Sequence, residues 1–414
     1  MPTQRGWTAL AAGLSLWIAG QLAGSEDLHM VAVGITALPV LAALFVRWNR
    51  IRLGIHRHLS AGRVFPGTRV AVTLTVENRG ATTAPFLLLE DGLPPSLGRP
   101  ARLVVSGIPG RNEQTVSYSM VARHRGRYSV GPLAISINDP FGLARIRMQD
   151  PATNDLVVYP SVEEIEPWRL GIRGAGAGDS TVRQLFRSAA EFYTMREYVT
   201  GDDLRRIHWP SVARTGHLMI RQDESARRSV ATVFLDNRSL ALGPNGSPGF
   251  ERAVSVTASV GRALFRGGFM VHLLTVDSPV ALMNESMLLD TLAGASPVRT
   301  RGMAEALVTL RSAGRGDTSL VMVGSPPSEA EVSSIARMAT GFARRLAIFV
   351  YPINPAEVTP PAAAELHARA LGARATLRHA GWDVVIVEPE ERLVDAWETS
   401  MRPRGLRPAG LSSS

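Results

Sequence analysis

The chain opens on two long stretches of apolar residues. Residues 7–24 carry no charge, and neither do residues 30–46 once His29 is passed. Each is about 17–20 residues long, close to the roughly 20 that a helix needs to cross a bilayer's hydrocarbon core. Only Gly24-Ser25-Glu26-Asp27 separates them, a tight acidic turn. Arg47, Arg50, Arg52 and Arg57 crowd the far end of the second stretch, and Arg5 precedes the first. The positive-inside rule therefore expects both ends in the cytoplasm and the Glu26–Asp27 turn outside. Trp7 and Trp48 stand where interfacial aromatics belong. A cleaved signal peptide over the first stretch would change little, because residues 31–46 and their arginines would still stop transfer. The pattern predicts a transmembrane hairpin over residues 1–52.

Beyond it the period changes to two. In Arg69-Val-Ala-Val-Thr-Leu-Thr-Val-Glu77, Val70, Val72, Leu74 and Val76 share one face. Val116, Tyr118 and Met120 repeat the alternation, as do Leu133, Ile135 and Ile137. Short alternating strands between Gly/Pro turns predict a small β-sandwich over residues 60–160. From residue 229 the strands become continuously apolar, at 230–235, 270–276, 319–323, 346–350 and 382–387. Helical spacing intervenes at 250–265 and 362–380. Such alternation predicts a parallel sheet covered on both faces over residues 229–400. Residues 161–228 connect the two domains, and the Pro/Gly/Ser-rich stretch 401–414 reads as a disordered tail. The whole is a multidomain α+β chain.

Composition narrows the chemistry. The 414 residues leave room for two or three domains. Cysteine is absent, which excludes disulfides and thiolate chemistry. All 45 basic residues are arginine, so no lysine is available for a phosphate loop or a Schiff base. A net charge of +9 invites nucleic acid, but the arginines are dispersed among 36 acidic residues and no aromatics interleave with them. Composition argues against a nucleic-acid partner.

The connecting segment is the least ordinary part of the chain. Residues 191–224 read E-F-Y-T-M-R-E-Y-V-T-G-D-D-L-R-R-I-H-W-P-S-V-A-R-T-G-H-L-M-I-R-Q-D-E. Thr200-Gly201 is turn chemistry, Asp202 can cap a helix starting at Asp203, and Thr215-Gly216 turns again before a strand at 218–221. The run from Arg196 to Leu218 resembles the signature of the domain-of-unknown-function 58 family of bacterial proteins. R-G-R-Y-S-V-G-P-L at 125–133 and D-P-F-G-L at 139–143 agree with it, as does the order of anchor, β domain, signature and α/β domain. Pro210 stands where many members carry a basic residue, which predicts a shortened helix.

The resemblance implies a C-terminal domain similar to the von Willebrand factor A module, an adhesion and scaffolding fold. It also implies a gene neighbourhood with MoxR-type AAA+ ATPases, and residence in the bacterial plasma membrane as a multi-pass protein with its bulk cytoplasmic. Von Willebrand A modules hold Mg²⁺ on an Asp-x-Ser-x-Ser loop, oxygen donors suited to a hard cation. Here that loop reads Asp236-Asn237-Arg238-Ser239-Leu240, the later loop Val323-Gly324-Ser325-Pro326 lacks an aspartate, and Thr300 is flanked by Arg299 and Arg301. Most ligands are missing, so the expectation is no metal and no other cofactor, with Asp236 accepting bonds from Arg238 or loop amides. No G-x-S-x-G, phosphate-loop or H-E-x-x-H motif occurs; of the nine histidines, His208 beside Trp209 in the signature is the one to watch.

The expected role is a membrane-anchored, non-enzymatic scaffold that binds protein partners, an AAA+ ATPase or its client. Its interaction residues would be Arg196, Tyr198, Gly201, Asp202, Asp203, Arg205, Arg206, Trp209, Arg214 and Gly216. One version makes these a clasp between the domains, with Trp209 as its apolar anchor. The alternative is a hydrolase or transferase that uses Asp202, Asp203 and the arginines on an acidic or phosphorylated substrate.

Overall fold

The computed structural model describes residues 2–48, 52–84, 86–139, 141–166, 193–199, 204, 207–223, 229–299, 302–313, 318–338 and 341–401. The chain divides into two compact units. One comprises Met1–Ser161 with Leu289–Ala295, the other Val162–Leu288 with Ser296–Ser414.

The first unit begins with two helices, α1 (Gln4–Ala23) and α2 (Glu26–Trp48). The Thr3 hydroxyl caps α1 by accepting from the Gly6 N–H, and Gly24 ends it in the left-handed region at φ 62°. Gly6, Gly13 and Gly20 are its buried residues, seven apart on one side. A Cβ at Gly13 would stand 2.2 Å from the Thr36 hydroxyl, so α2 packs at a distance only glycine permits. Trp17 and His29 meet edge to face, with ring centroids 4.8 Å apart. The other sides expose Trp7, Leu14, Ile18, Leu22, Met30, Val33 and Leu41 to the surroundings. Among the described residues one helix, α2 over Glu26–Leu44, is long and apolar enough to cross a membrane.

Ten strands follow. They are β1 (Leu53–Leu59), β2 (Arg63–Val64), β3 (Arg69–Asn78), β4 (Leu87–Asp91), β5 (Ala101–Val105), β6 (Glu113–Val121), β7 (Gly126–Val130), β8 (Leu133–Asn138), β9 (Arg145–Asp150) and β10 (Asn154–Val158). Sheet β1-β3-β6 shares one core with sheet β5-β4-β8-β9 and another with sheet β2-β10-β7. The alternation in β3 decides this: Val70, Val72, Leu74 and Val76 are fully buried. Leu74 and Val76 join Leu87, Leu89, Leu133 and Ile135, while Val70 and Val72 join Leu156 and Val158.

A charged pair is buried here. Arg57 makes two bonds to Asp91, at 3.1 and 2.6 Å, with both side chains at most 3% exposed. The Tyr118 hydroxyl donates to Asp91 at 2.7 Å. Burial and that carboxylate push the Tyr118 phenol far above its ordinary value.

Both motif fragments are structural in this unit. In D-P-F-G-L, the buried Asp139 accepts from the Phe141 and Ala144 N–H groups, shaping the loop that receives Thr3. The Thr3 amide and hydroxyl donate to Leu143 and Gly142 carbonyls. In R-G-R-Y-S-V, Arg125 donates to the carbonyls of Leu292, Ala293 and Ala295, and Arg127 to that of Asp290. Arg63 meets Asp290 with paired bonds of 3.0 to 3.3 Å.

The second unit contains a six-stranded sheet. Its elements are β13 (Val230–Leu235), α4 (Ser239–Leu242), α5 (Pro248–Arg266), β14 (Met270–Thr275), β15 (Ala281–Met283), α6 (Glu285–Ala293), whose residues from Leu289 on belong to the first unit, α7 (Met303–Ala313), β16 (Ser319–Gly324), α8 (Glu329–Met338), β17 (Arg344–Val350), α9 (Pro360–His379), β18 (Asp383–Val387) and α10 (Leu393–Met401). Strand order is β15-β14-β13-β16-β17-β18, parallel except for the edge strand β15. The five expected strands are all present, and β15 is an antiparallel addition. Helices α7, α8 and α9 pack on one face through Leu310, Ile335 and Leu377 against Phe234, Leu320 and Phe349. Helix α5, buried along most of its length, packs on β13, β14, β16 and β17. Its Arg252 bonds Glu163, whose other carboxylate oxygen accepts from the Leu393 N–H at 2.7 Å.

Candidate functional site

Sheet order identifies the first place to look. The chain leaves β13 toward β14 on one side and later returns to β16 on the other. In open parallel sheets such a reversal opens a crevice at the carboxyl ends of the strands. Asp236 follows β13 there and is 1% exposed. Gly324 ends β16 beside it; a Cβ at this position would stand 2.9 Å from Asp236 Cβ. Only glycine lets the two strand ends approach this closely.

Arg238 fills the crevice. Its Nε donates to Asp236 Oδ1 and its Nη2 to Oδ2, both at 2.8 Å, while Nη1 reaches Glu331 at 2.7 Å. Asn237 fixes the loop by donating to Asp277 at 2.8 Å and to the Ser296 carbonyl at 3.1 Å, and by accepting from the Val276 N–H. The Asp236 bond holds the guanidinium well above its ordinary pKa despite burial. Burial alone would push Glu331 up, but the Ser328 N–H and Arg238 together leave it below 4.5, its ordinary value. The resemblance implies a divalent cation at this loop, and these residues do not fit one. Both Asp236 oxygens are taken by a cation that the chain itself supplies. Thr300 lies outside the described residues.

A group with a depressed folded pKa stabilises above its unfolded value, and that stability fades as pH falls through the folded one. Glu331 is such a group. Asp290 is another, lowered chiefly by its bond from Arg63. Stability should therefore decline on acidification below about pH 4.5. Glu331→Gln should be less stable than the parent at pH 7 and show a flatter acid limb, as followed by melting at successive pH values.

A second cluster follows β17 and β18. The Tyr351 hydroxyl lies 3.1 Å from His367 Nδ1, and Glu388 is 4.0 Å from the same nitrogen. Burial and Glu388 push the Tyr351 phenol up to about 12. It escaped the sequence analysis because its members are far apart in the chain and match no motif.

The signature segment contributes a two-stranded sheet and a short helix to the second unit. Strand β11 (Tyr193–Glu197) pairs antiparallel with β12 (Met219–Asp223), and helix α3 (Trp209–Thr215) lies between them in sequence. The Tyr198 N–H bonds the Leu218 carbonyl, and the His208 N–H bonds that of Met219. His208 Nδ1 sits 2.9 Å from the Ser211 hydroxyl at the helix start. Pro210 falls in the first turn, where a missing N–H costs nothing. Gly216 caps the helix at φ 74°, donating its N–H to the Val212 carbonyl. Thus Tyr198 and Gly216 have structural duties, and Arg196 lies in β11 opposite Ile220.

One expectation changes. Helix α3 begins at Trp209, while the expected helix start at Asp203 lies outside the described residues. Trp209 is 66% exposed and Arg214 is also exposed. An apolar anchor should be buried, and this one is not. Val199, Leu204 and Leu218 are exposed with it, at 61%, 60% and 42%. Gly201, Asp202, Asp203, Arg205 and Arg206 lie outside the described residues.

With this geometry in view, comparison with known proteins is informative. The family described as "Protein of unknown function DUF58" matches residues 194–357, from β11 through β17. "Uncharacterized protein YeaD" of Bacillus subtilis is 26% identical over 222 residues, 51% of this chain and 53% of its own length. The chain thus spans about half the length of that curated relative. Among solved structures, the CARDB domain of the PF1109 protein from Pyrococcus furiosus is 14% identical over 26% of this chain and 93% of its own, with a TM-score of 0.21. A beta-glucosidase from Listeria innocua is 12% identical over 26% of this chain and 16% of its own, with a TM-score of 0.19. Likenesses this slight carry no argument about fold.

Proposed function

We propose that the protein is a membrane-anchored scaffold whose α/β unit, a von Willebrand A-like domain, binds protein partners on the cytoplasmic face. A MoxR-type AAA+ ATPase or its client is the partner class implied by the resemblance. The observation that carries this reading is the exposure of Trp209, Val199, Leu204 and Leu218 on the signature segment. Four large apolar side chains exposed along one short segment favour an interaction site, and tryptophan is prominent among residues that dominate binding energy. The internal Arg238–Asp236 pair supports it further, because a scaffold with its own cation needs no metal to keep its strand-end loop in shape.

Trp209→Ala tests the reading. An exposed side chain contributes little to the fold, so the melting temperature should stay within about 1–2 °C of the parent. Recovery of the ATPase with the protein from solubilised membranes should fall at least tenfold, as expected for loss of a central aromatic contact of about 2 kcal/mol. Unchanged recovery would sink the proposal.

Anchoring by a two-helix hairpin belongs to the same proposal. The exposed apolar sides of α1 and α2, and the arginines after α2, support it. A reporter fused after Ser414 should be active only as a cytoplasmic reporter. Activity of a periplasmic reporter there would invert the topology.

A further inference from the structure

The first unit holds a loop of its β-rich part against the start of its apolar hairpin. The Thr3 amide donates to the Leu143 carbonyl at 2.8 Å, and the Thr3 hydroxyl to that of Gly142 at 2.5 Å. Pro2 and Ala144 form an antiparallel bridge beside them. A Cβ at Gly6 would stand 2.2 Å from the Leu143 carbonyl oxygen, so the loop reaches the backbone of the first turn of α1. The far end of α2 arrives at the same place: Ala42 and Ala43 pack in one core with Leu143 and Ala144. Beside Gly142 the loop carries Phe141, 69% exposed. Trp7, one turn of helix beyond Thr3, is 63% exposed. A turn rises about 5.4 Å, which seats Phe141 close to the level of Trp7 along α1.

That level selects what covers the ring. Under the anchoring proposed above, Trp7 marks the boundary between headgroups and acyl chains, where aromatic side chains concentrate. A phenyl ring held there meets lipid instead of water, and its removal from water is favourable. The charges nearby suit the same neighbour. Arg5 is exposed, and its Nη1 lies 4.0 Å from where a Cβ on Gly142 would stand. A guanidinium pairs readily with a phosphate. The loop's own carboxylate does not oppose this. Asp139 is 4% exposed and turned inward, accepting from the Phe141 and Ala144 N–H groups. We propose that this loop docks on the membrane: Phe141 enters the cytoplasmic interface of the bilayer beside α1, and Arg5 pairs with the phosphate of an anionic phospholipid headgroup. This rests on the hairpin-anchor reading above and adds that the β-rich part also touches the bilayer, and through which residues.

The chain has no cysteine, so a single introduced one takes a nitroxide label at one position only. Phe141→Cys and Ile18→Cys, each in the full chain, are labelled and placed in nanodiscs of phosphatidylcholine, with or without about one-third phosphatidylglycerol. At 141 the apolar nitroxide ring takes the place of the phenyl. Ile18 lies in α1 and is 53% exposed, so its label reports on anchoring alone. Collisions with dissolved oxygen, which favours the bilayer, are compared with collisions with a water-soluble nickel chelate. The oxygen-to-nickel ratio should stand several-fold above that of the free label in buffer at both positions, and higher at 18 than at 141. Phosphatidylglycerol should raise it at 141 and leave it unchanged at 18. Arg5→Glu should abolish that rise, and Arg5→Lys should keep part of it. Arg5 is exposed, so both variants should melt near the parent. A ratio at 141 equal to that of the free label, with a high ratio at 18, overturns the docking loop and leaves the anchor standing. A ratio at 18 equal to that of the free label overturns both. A label at 141 shielded from oxygen and nickel alike would mean that protein covers the ring, and also overturns the docking loop. Indifference of position 141 to phosphatidylglycerol, or to Arg5→Glu, overturns the headgroup pairing.

Discussion

Asp91→Ala should destabilise the β-rich unit by about 3–5 kcal/mol, the usual cost of stranding one partner of a buried ion pair. Arg57 and Asp91 are 3% and 0% exposed, so water cannot replace the lost carboxylate. The substitution removes the counter-charge of Arg57, which keeps its bonds to the Ala152 carbonyl and Asn154, and orphans the Tyr118 hydroxyl. For a domain of this size the melting temperature should fall on the order of 10 °C. A double replacement, Arg57→Leu with Asp91→Leu, should recover much of the loss, because an apolar pair demands no compensation. If Asp91→Ala melts within about 2 °C of the parent, the pair is not the buried strut described.

Arg238→Ala should be the second severe change, also about 3–5 kcal/mol. Asp236 is nearly inaccessible and takes two charge-assisted bonds from this side chain. With the guanidinium gone, the Arg238 N–H at 3.3 Å still faces that carboxylate. Arg238→Lys should rescue only part of the loss, since an ammonium cannot match both oxygens at once. Millimolar Mg²⁺ should leave the parent's melting temperature unchanged, because a ligand that does not bind the native state cannot stabilise it. A saturable rise that Asp236→Ala abolishes would mean that the guanidinium yields to the metal.

Much of this architecture is legible in the sequence, for identifiable reasons. Strict alternation in β3 and the continuously apolar runs from Val230 onward are burial patterns, and burial is what fixes strands. Asp236 and Arg238 are two residues apart after an apolar strand, so their bond could be expected from local chemistry. Arg57–Asp91 could not, because its partners are 34 residues apart and each looks like an ordinary surface charge in sequence. The clamp of Arg63, Arg125 and Arg127 on residues 290–295 is hidden in the same way. The seat of Thr3 on the Phe141 loop is hidden too, because Thr3 and Gly142 stand 139 residues apart. Trp209 misled for a different reason: an aromatic among arginines reads equally well as an anchor or as a contact surface. Exposure separates the two, and sequence does not report exposure.

The central claim is that the signature presents a partner surface instead of closing the fold. It is tested most directly by a photo-crosslinking amino acid at position 209 in the full chain, irradiated in intact membranes. The account predicts one discrete adduct to a separate protein, identified by mass spectrometry as the ATPase or its client. Crosslinks running only to other residues of the same chain would contradict it and return the signature to a structural clasp.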